Sequence, residues 1–388
     1  MSFFEIFARS EEGSTQRLIQ YSLLYFFLYV IYTVLTKVMQ HTYDVSGTVF
    51  TIYNTIGGTL ICVLVVFVWK WYKFQSSNWI RFIGINMPKE FLYIIPSGIC
   101  TAIIIPTTTL MYTLPISVMV AMIIMRASII IISRVIDQLQ ILQGILKKRV
   151  YWEENVGAVF AILALSIQLF IKIKTGNTIT VEFFKTNPGD FDFVKNKAAM
   201  TILTFYLIAY TIRIYIMNYY KNTRPKGSIY DMKGFFAIEQ IASTLTLLVI
   251  GFFYYYFSKV DFSILDYSKT FAYQFKFAFN NVPDKWLFII LSGFPFGMAA
   301  FFSVFLFMFK GRTATFAGLV NRISSLVAGM VSTILVVVLF GIGKIKGEDC
   351  VALIFIFIAI YFMSRAERKR VCELVINKEL SGSVSECK

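Results

Sequence analysis

Residues 123–131 read IIMRASIII, and residues 319–327 read LVNRISSLV. Each stretch sets one arginine, Arg126 or Arg322, inside an otherwise apolar run. The first run starts near Pro115 and ends near Val135; the second extends from Thr313 to Phe340. Runs of about 20 apolar residues match the ~30 Å hydrocarbon core of a bilayer. An arginine at the centre of such a helix costs ~2.5–3.5 kcal/mol even on the lenient insertion scale. Two cost roughly 5–7 kcal/mol, comparable to the net stability of a whole protein. They require a wet cavity, a counter-ion or a ligand.

The composition agrees with a membrane setting. Of 388 residues 57% are hydrophobic and 15% charged, with 40 Phe and 22 Tyr. That is too little polar surface to cover a water-facing fold of this length. The expectation is an all-α, multi-pass integral membrane protein, because lipid leaves a chain only helices or closed barrels. The net charge of +15 would suggest nucleic acid on a soluble chain. Here the basic residues fall between and beyond the apolar runs, as in Lys147-Lys148-Arg149 and Arg368-Lys369-Arg370. They are read as orientation signals facing the lipid headgroups, and no nucleic-acid partner is expected. Cys62, Cys100, Cys350, Cys372 and Cys387 form no CxxC pair, and the single histidine, His41, reads as a surface residue. No disulfide framework, metal site or cofactor is expected. Glu5, Glu11 and Glu12 precede the first run, which reads as a retained span rather than a signal peptide.

Ten spans are expected: 18–40, 46–69, 91–112, 115–136, 155–173, 198–218, 234–257, 286–309, 313–340 and 350–364. With a cytoplasmic N-terminus, the inner loops carry Lys70, Lys73, Arg81, Lys89, Lys147, Lys148, Arg149, Lys221, Arg224, Lys226, Lys233, Lys310 and Arg312. Both termini are therefore placed in the cytoplasm and the protein in the cell (inner) membrane. Residues 76–90 read as an interfacial stretch anchored by Trp79 and Phe82, and residues 365–380 as a short basic helix.

Three short words recur in order. IIPSG at 94–98 matches IILSG at 289–293, an offset of 293 − 98 = 195; MRAS at 125–128 matches NRIS at 321–324, with 322 − 126 = 196; Glu153-Glu154 matches Glu348-Asp349, with 348 − 153 = 195. The reading is two repeats of five helices, 1–174 and 198–364, joined by a loop at 175–197 and followed by a tail at 365–388. Five spans per repeat is an odd number, so the repeats face opposite ways. That is the architecture of alternating-access carriers, with a site near the midplane.

Arg126 comes about three helical turns after Pro115, and Arg322 comes two and a half turns after Thr313. At ~1.5 Å per residue both reach roughly half of the core. Their planar, permanently charged forks suit phosphate or carboxylate. The alternative is an internal carboxylate partner, for which Glu239 and Asp137 are the candidates. Arg213 and Glu239 sit at similar depth and can pair, leaving Arg126 and Arg322 to a substrate. Asn321, Ser128, Ser324, Tyr53 and Asn54 are the other candidate binding residues, and Arg213 with Glu239 is the candidate gating or coupling pair. Tyr29 and Tyr32 read mainly as packing, and Gly293-Phe-Pro-Phe-Gly297 as close helix contact with a kink at Pro295.

On these residues the chain resembles the drug/metabolite transporter superfamily, EamA-like and nucleotide-sugar-transporter-like. The similarity rests on 115–172 and its counterpart 313–364: the basic turn Lys147-Lys148-Arg149, the acidic link Glu153-Glu154, and Gly157. In the second half Val351 or Ala352 stands where Gly157 would map, a departure from the pattern. The resemblance implies ten helices in two inverted halves. In the nucleotide-sugar and sugar-phosphate branch it implies a basic residue of the ninth span on the substrate phosphate, a position that Arg322 fits.

The leading expectation is a secondary transporter for a small organic anion: a phosphorylated metabolite, a nucleotide derivative or a carboxylate. It is expected to act as a monomer or homodimer, with anion exchange favoured over proton coupling. The competing readings are an exporter of amino-acid-like or amphiphilic solutes with structural arginines, and a lipid-phosphate flippase. Paired carboxylates, HExxH, His/Cys clusters and Walker motifs do not occur, so an enzyme is not expected.

Overall fold

The computed structural model describes residues 13–43, 47–76, 78–82, 84–113, 118–147, 150–175, 179–183, 197–224, 230–258, 270–341 and 347–385. Glu5, Glu11, Glu12, Pro115, Lys148, Arg149, Lys226 and the side chain of His41 lie outside the described residues, as do the 184–196 and 259–269 segments.

The chain is built from long helices. They are α1 (Thr15–Tyr43), α2 (Gly47–Val68), α3 (Phe91–Thr113), α4 (Val118–Leu142), α5 (Trp152–Phe170) and α6 (Lys197–Asn222). They continue with α7 (Met232–Phe257), α8 (Phe271–Asn280), α9 (Trp286–Ser292), α10 (Phe294–Phe307), α11 (Ala314–Phe340) and α12 (Gly347–Ser385). Seven described stretches are long and apolar enough to cross a membrane: Thr15–Met39, Thr48–Val68, Phe91–Thr108, Ala199–Asn222, Met232–Phe257, Trp286–Phe307 and Ala314–Phe340. The protein is an all-α, multi-pass membrane protein. Of the remaining long helices, α4 holds Arg126, Arg134 and Asp137, α5 starts with Glu153 and Glu154, and α12 is charged from Arg365 onward.

The surface pattern is that of a lipid-facing bundle. On α1, Ile19, Leu23, Phe27 and Ile31 recur every four residues and stay about half exposed, while Tyr21 and Tyr25 are buried. On α7, Phe252, Phe253, Tyr256 and Phe257 are all more than half exposed. Continuous apolar stripes of this size are not tolerated in water and are ordinary in hydrocarbon.

α3 packs on α6 and α7, and α10 packs on α1 and α2. α4 lies against α6, α11 against α1, and α5 against α12. Small residues set the closest approaches. A Cβ on Gly293 would sit 2.1 Å from the Asn54 carbonyl oxygen, and one on Gly297 2.2 Å from that of Gly58. Only hydrogen fits there, so the GFPFG motif is a helix-packing device. The expected eighth span is broken at this point: α9 ends at Ser292 and α10 restarts with Pro295 in its first turn, where the missing N–H is harmless.

Several details differ from the sequence reading. Residues 76–90 are not a plain interfacial stretch but hold a hairpin, β1 (Trp79–Phe82) and β2 (Ile85–Pro88), with Trp79 opposite Pro88. The expected fifth span stops at Phe170, and a second hairpin follows, β3 (Ile171–Thr175) and β4 (Ile179–Phe183). IKIKT alternates with period two and carries β-branched residues, which favours a strand over another helical turn. The tail is not a separate helix; α12 runs unbroken for 39 residues. The short α8 has no counterpart among the expected spans. Its Tyr- and Phe-rich face packs on α7 through Tyr254–Phe275 and Tyr255–Phe279 ring contacts.

One end of the bundle gathers the start of α1, residues 69–90, the α4–α5, α6–α7 and α10–α11 connections, and α12 beyond Arg365. Thr15 bonds Glu367, Gln75 bonds Asp231, Tyr151 bonds Glu373, and Arg224 bonds Glu90. These segments carry most of the basic residues between helices.

Candidate functional site

α4 begins at Val118 and α11 at Ala314, so Arg126 and Arg322 stand at the same depth, a little over two turns into their helices. At ~1.5 Å per residue that is roughly 12 Å from each helix start. The Arg126 Nη2 donates to the Tyr29 hydroxyl at 3.1 Å. The Arg322 guanidinium lies 5.5 Å from the centre of the Tyr210 ring. Tyr25 is close enough to feel the charges of both arginines, and Tyr206 faces Arg322.

Helix periodicity explains the arrangement. Tyr25 and Tyr29 are four apart on α1, so they share a face; their rings are 5.7 Å apart. Tyr206 and Tyr210 are likewise four apart on α6, with rings 4.8 Å apart. Two arginines thus meet two tyrosine pairs, supplied by α1, α4, α6 and α11. Among the described residues neither arginine forms an ion pair. The Nε of Arg322 is buried and finds no hydrogen-bond partner. A tyrosine ring attracts a guanidinium weakly but cannot neutralise it. The site therefore keeps two net positive charges in aromatic surroundings, with donors left over for an acceptor.

The two buried acids that could have neutralised them are occupied. Arg213 grips Glu239 with both arms, Nε to Oε1 at 2.9 Å and Nη2 to Oε2 at 3.1 Å. Glu239 is fully buried and also accepts from Ser97 Oγ at 2.6 Å and Thr101 Oγ1 at 3.3 Å. Asp137, also fully buried, accepts from the backbone N–H groups of Ala314 and Thr315 at 2.8 and 2.6 Å. The Arg213–Glu239 pair borders the site, since Arg213 lies beside Tyr210.

The other residues singled out in the sequence are not brought to the arginines. Tyr53 donates to the Ala278 carbonyl at 2.6 Å, and Asn54 to Ser292 Oγ at 3.1 Å; both fasten α2 to the α8–α9 region. Asn321 donates to Ser303 Oγ at 2.9 Å, which ties α11 to α10. Ser128 and Ser324 are half-buried, two residues beyond each arginine, and a two-residue step turns a helix by about 200° to the far side. Conversely, Tyr25, Tyr206 and Tyr210 join the site without having been singled out. Their signal is present in YFFLY at 25–29 and YLIAY at 206–210. Tyr29 binds Arg126 rather than merely packing. Arg134, two turns along α4, has a buried Nη1 without a bond partner. Lys37, deep in the first span, bonds Thr333 Oγ1 on α11 at 2.8 Å.

No protein-family profile matches the chain, and no curated protein is similar to it in sequence. Solved structures do resemble it. One, titled only "Crystal structure of protein", superposes with a TM-score of 0.51 at 14% identity and covers 90% of this chain and 98% of its own. At that identity the likeness speaks for the fold alone.

Proposed function

We propose that the protein is a secondary transporter of the drug/metabolite transporter type, moving a small organic anion by alternating access around Arg126 and Arg322. The observation that carries the reading is the pair of equally deep arginines without an acid partner among the described residues. Charge left uncompensated in a membrane interior marks a substrate path by default. In this reading ten helices, α1 to α7, the broken α9–α10, α11 and α12, cross the membrane as two inverted halves, with both termini in the cytoplasm.

The inverted relation is supported by a packing pattern that maps onto itself when the halves are exchanged. α3 on α6 and α7 answers α10 on α1 and α2, and α4 on α6 answers α11 on α1. Side chains follow. Arg126 with Tyr29 answers Arg322 with Tyr210, and Ser97 with Glu239 answers Ser292 with Asn54. The two tyrosine pairs have one offset, 206 − 25 = 181 and 210 − 29 = 181. A site on a pseudo-two-fold axis is where rocking halves expose a ligand to each side in turn.

Ligand-induced thermal stabilisation tests the reading. Purified protein is screened against phosphorylated metabolites, carboxylates, amino acids and neutral amphiphiles, with Arg126→Ala and Arg322→Ala alongside. A ligand at 100 times its Kd stabilises by ~2.7 kcal/mol. The expected result is that an anion stabilises the wild type and neither variant. Stabilisation by neutral or zwitterionic compounds alone, retained in both variants, would remove the anion-transport reading.

A further inference from the structure

Most of the polar contacts at the end bearing the basic loops join one half of the chain to the other, while Arg312–Glu367 and Lys221–Phe307 lie within the second half. Asp137 of α4 accepts the first free N–H groups of α11, from Ala314 and Thr315, and holds Asn218 Nδ2 at 3.2 Å. Thr313, the N-cap of α11, accepts from Phe316 N and donates to Glu154 Oε2 of α5 at 2.8 Å. Glu154 Oε1 meets Arg370 of α12 at 3.4 Å, and Glu153 is paired with Lys369. Arg312, 1% exposed, grips Glu367 of α12, which also accepts from Thr15 at the start of α1. Lys221 closes on the Phe307 carbonyl at 3.1 Å.

We infer that this seam is a gate, held shut by two acidic side chains of the first half, Asp137 on the backbone N–H groups at the start of α11 and Glu154 on its N-cap Thr313. The inference rests on the transporter reading. If the halves rock, the contacts that must break are those that cross between them on one side of the arginines, and those of Asp137, Glu153, Glu154 and Thr15 do. The helix N-terminus supplies the strength: two charge-assisted backbone bonds and the favourable end of the macrodipole act on one buried carboxylate. Asp137 follows Arg126 along α4 by three helical turns toward this end, and it lies on nearly the same face.

The position that answers Asp137 at the opposite end is neutral. At the repeat offset, 137 + 196 = 333, the counterpart of Asp137 is Thr333, a neutral side chain that accepts from Lys37. The protein without substrate accordingly rests closed at the basic-loop end.

Thiol accessibility tests this without any ligand, so its failure is separate from failure of the anion reading. Ser133 is fully buried one turn inside Asp137, and Ser133→Cys is a near-isosteric exchange there. Cys350, Cys372 and Cys387 are changed to Ser and Cys100 to Ala, and buried Cys62 is kept as a reporter of unfolding. The full chain in nanodiscs is treated with a charged maleimide, and labelling at each position is read by mass spectrometry. Slow labelling of position 133 is expected in the parent, rising at least tenfold in Asp137→Asn while Cys62 stays protected. Unchanged labelling at 133, or 133 and Cys62 rising together, would overturn the gate. Thr313→Val removes a single hydroxyl and supplies the same decision should Asp137→Asn fail to fold.

Discussion

Removing the charge of Glu239 while leaving Arg213 in place is the sharpest perturbation the geometry offers. Glu239 accepts four hydrogen bonds, two of them from a guanidinium that is itself nearly buried. Breaking a buried pair from one side strands the other charge and typically costs about 3–5 kcal/mol. Glu239→Gln should cost in that range although it preserves shape. At about 2 °C per kcal/mol, the figure for large domains, the melting midpoint falls roughly 6–10 °C. The double variant Arg213→Met/Glu239→Gln removes both charges and keeps an acceptor for Ser97 and Thr101. It should recover most of the loss, because neutral replacements of buried pairs are often tolerated. Thermal unfolding in one detergent, with the two single variants and the double, completes the cycle. A Glu239→Gln protein as stable as the parent would refute the reasoning: Arg213 would not need Glu239, and that acid would be free to answer Arg126 or Arg322.

Other outcomes follow from the same geometry. Gly293→Ala pushes a methyl to 2.1 Å from the Asn54 carbonyl and should abolish the folded yield measured by size-exclusion chromatography, whereas Gly329→Ala meets nothing within 4 Å and should be neutral or stabilising by up to about 1 kcal/mol. Tyr29→Phe removes the hydroxyl that receives Arg126 and should change affinity for a stabilising anion several-fold in titration calorimetry, with little change in melting temperature. The gate should also respond to pH. Burial pushes the Glu154 carboxyl, just ahead of the fifth span, from 4.5 up to about 7, against the pull of Thr313 and Arg370 and with Asp137 adding to the rise; Tyr151 and Glu373 complete its charged surroundings. The closed seam thus holds a proton that a solvated Glu154 would release. Closure favoured by this proton is complete below about 4.5 and lost as pH rises through about 7. Labelling of Ser133→Cys, corrected for the reagent's rate with free cysteine, should be faster at pH 8 than at 5.5, and Glu154→Gln should flatten the difference; equal corrected rates in the parent would contradict it.

Much of the helical layout was legible because bilayer spans announce themselves by length and apolarity alone. The arginines were legible because charge inside such a run is conspicuous against the background. The pairing of Arg213 with Glu239 could be anticipated from depth, since two opposite charges at one level of adjacent spans have few alternatives. The hairpins and α8 were not, because short amphipathic segments in long connections lack that contrast. Asn54, Tyr53 and Asn321 misled for a related reason. A polar residue within a span has to be satisfied by something, and here it is a hydroxyl or carbonyl of the neighbouring helix, which sequence cannot distinguish from a ligand.

The tyrosines show where more could have been read. Each site tyrosine is one of many aromatics in a chain with 22 Tyr, so none stands out singly. Their i, i+4 spacing does stand out once two spans are laid side by side, at an offset of 181 that differs from the 195 and 196 of the other matches. The separation from Tyr29 to Arg126 is 126 − 29 = 97, and that from Tyr210 to Arg322 is 322 − 210 = 112. The second half is therefore the longer one between its first and fourth long helices, by 112 − 97 = 15. The connections at 223–231 and 258–285, the latter holding α8, are longer than their counterparts at 44–46 and 69–90. Loops absorb such insertions at little thermodynamic cost, whereas a one-residue shift within a span turns a side chain by about 100° and removes it from the site. Matching spans by helical face rather than by a single global offset therefore recovers the tyrosines, and it places Tyr32 against Arg213, 213 − 32 = 181. That last correspondence sets a neutral residue in one half against a charge in the other. The acid follows the same division, Glu239 in the second half answering Asn54 in the first. In the proposed two-repeat arrangement these differences lie in the surroundings of the site, while the arginines and their tyrosines are common to both halves.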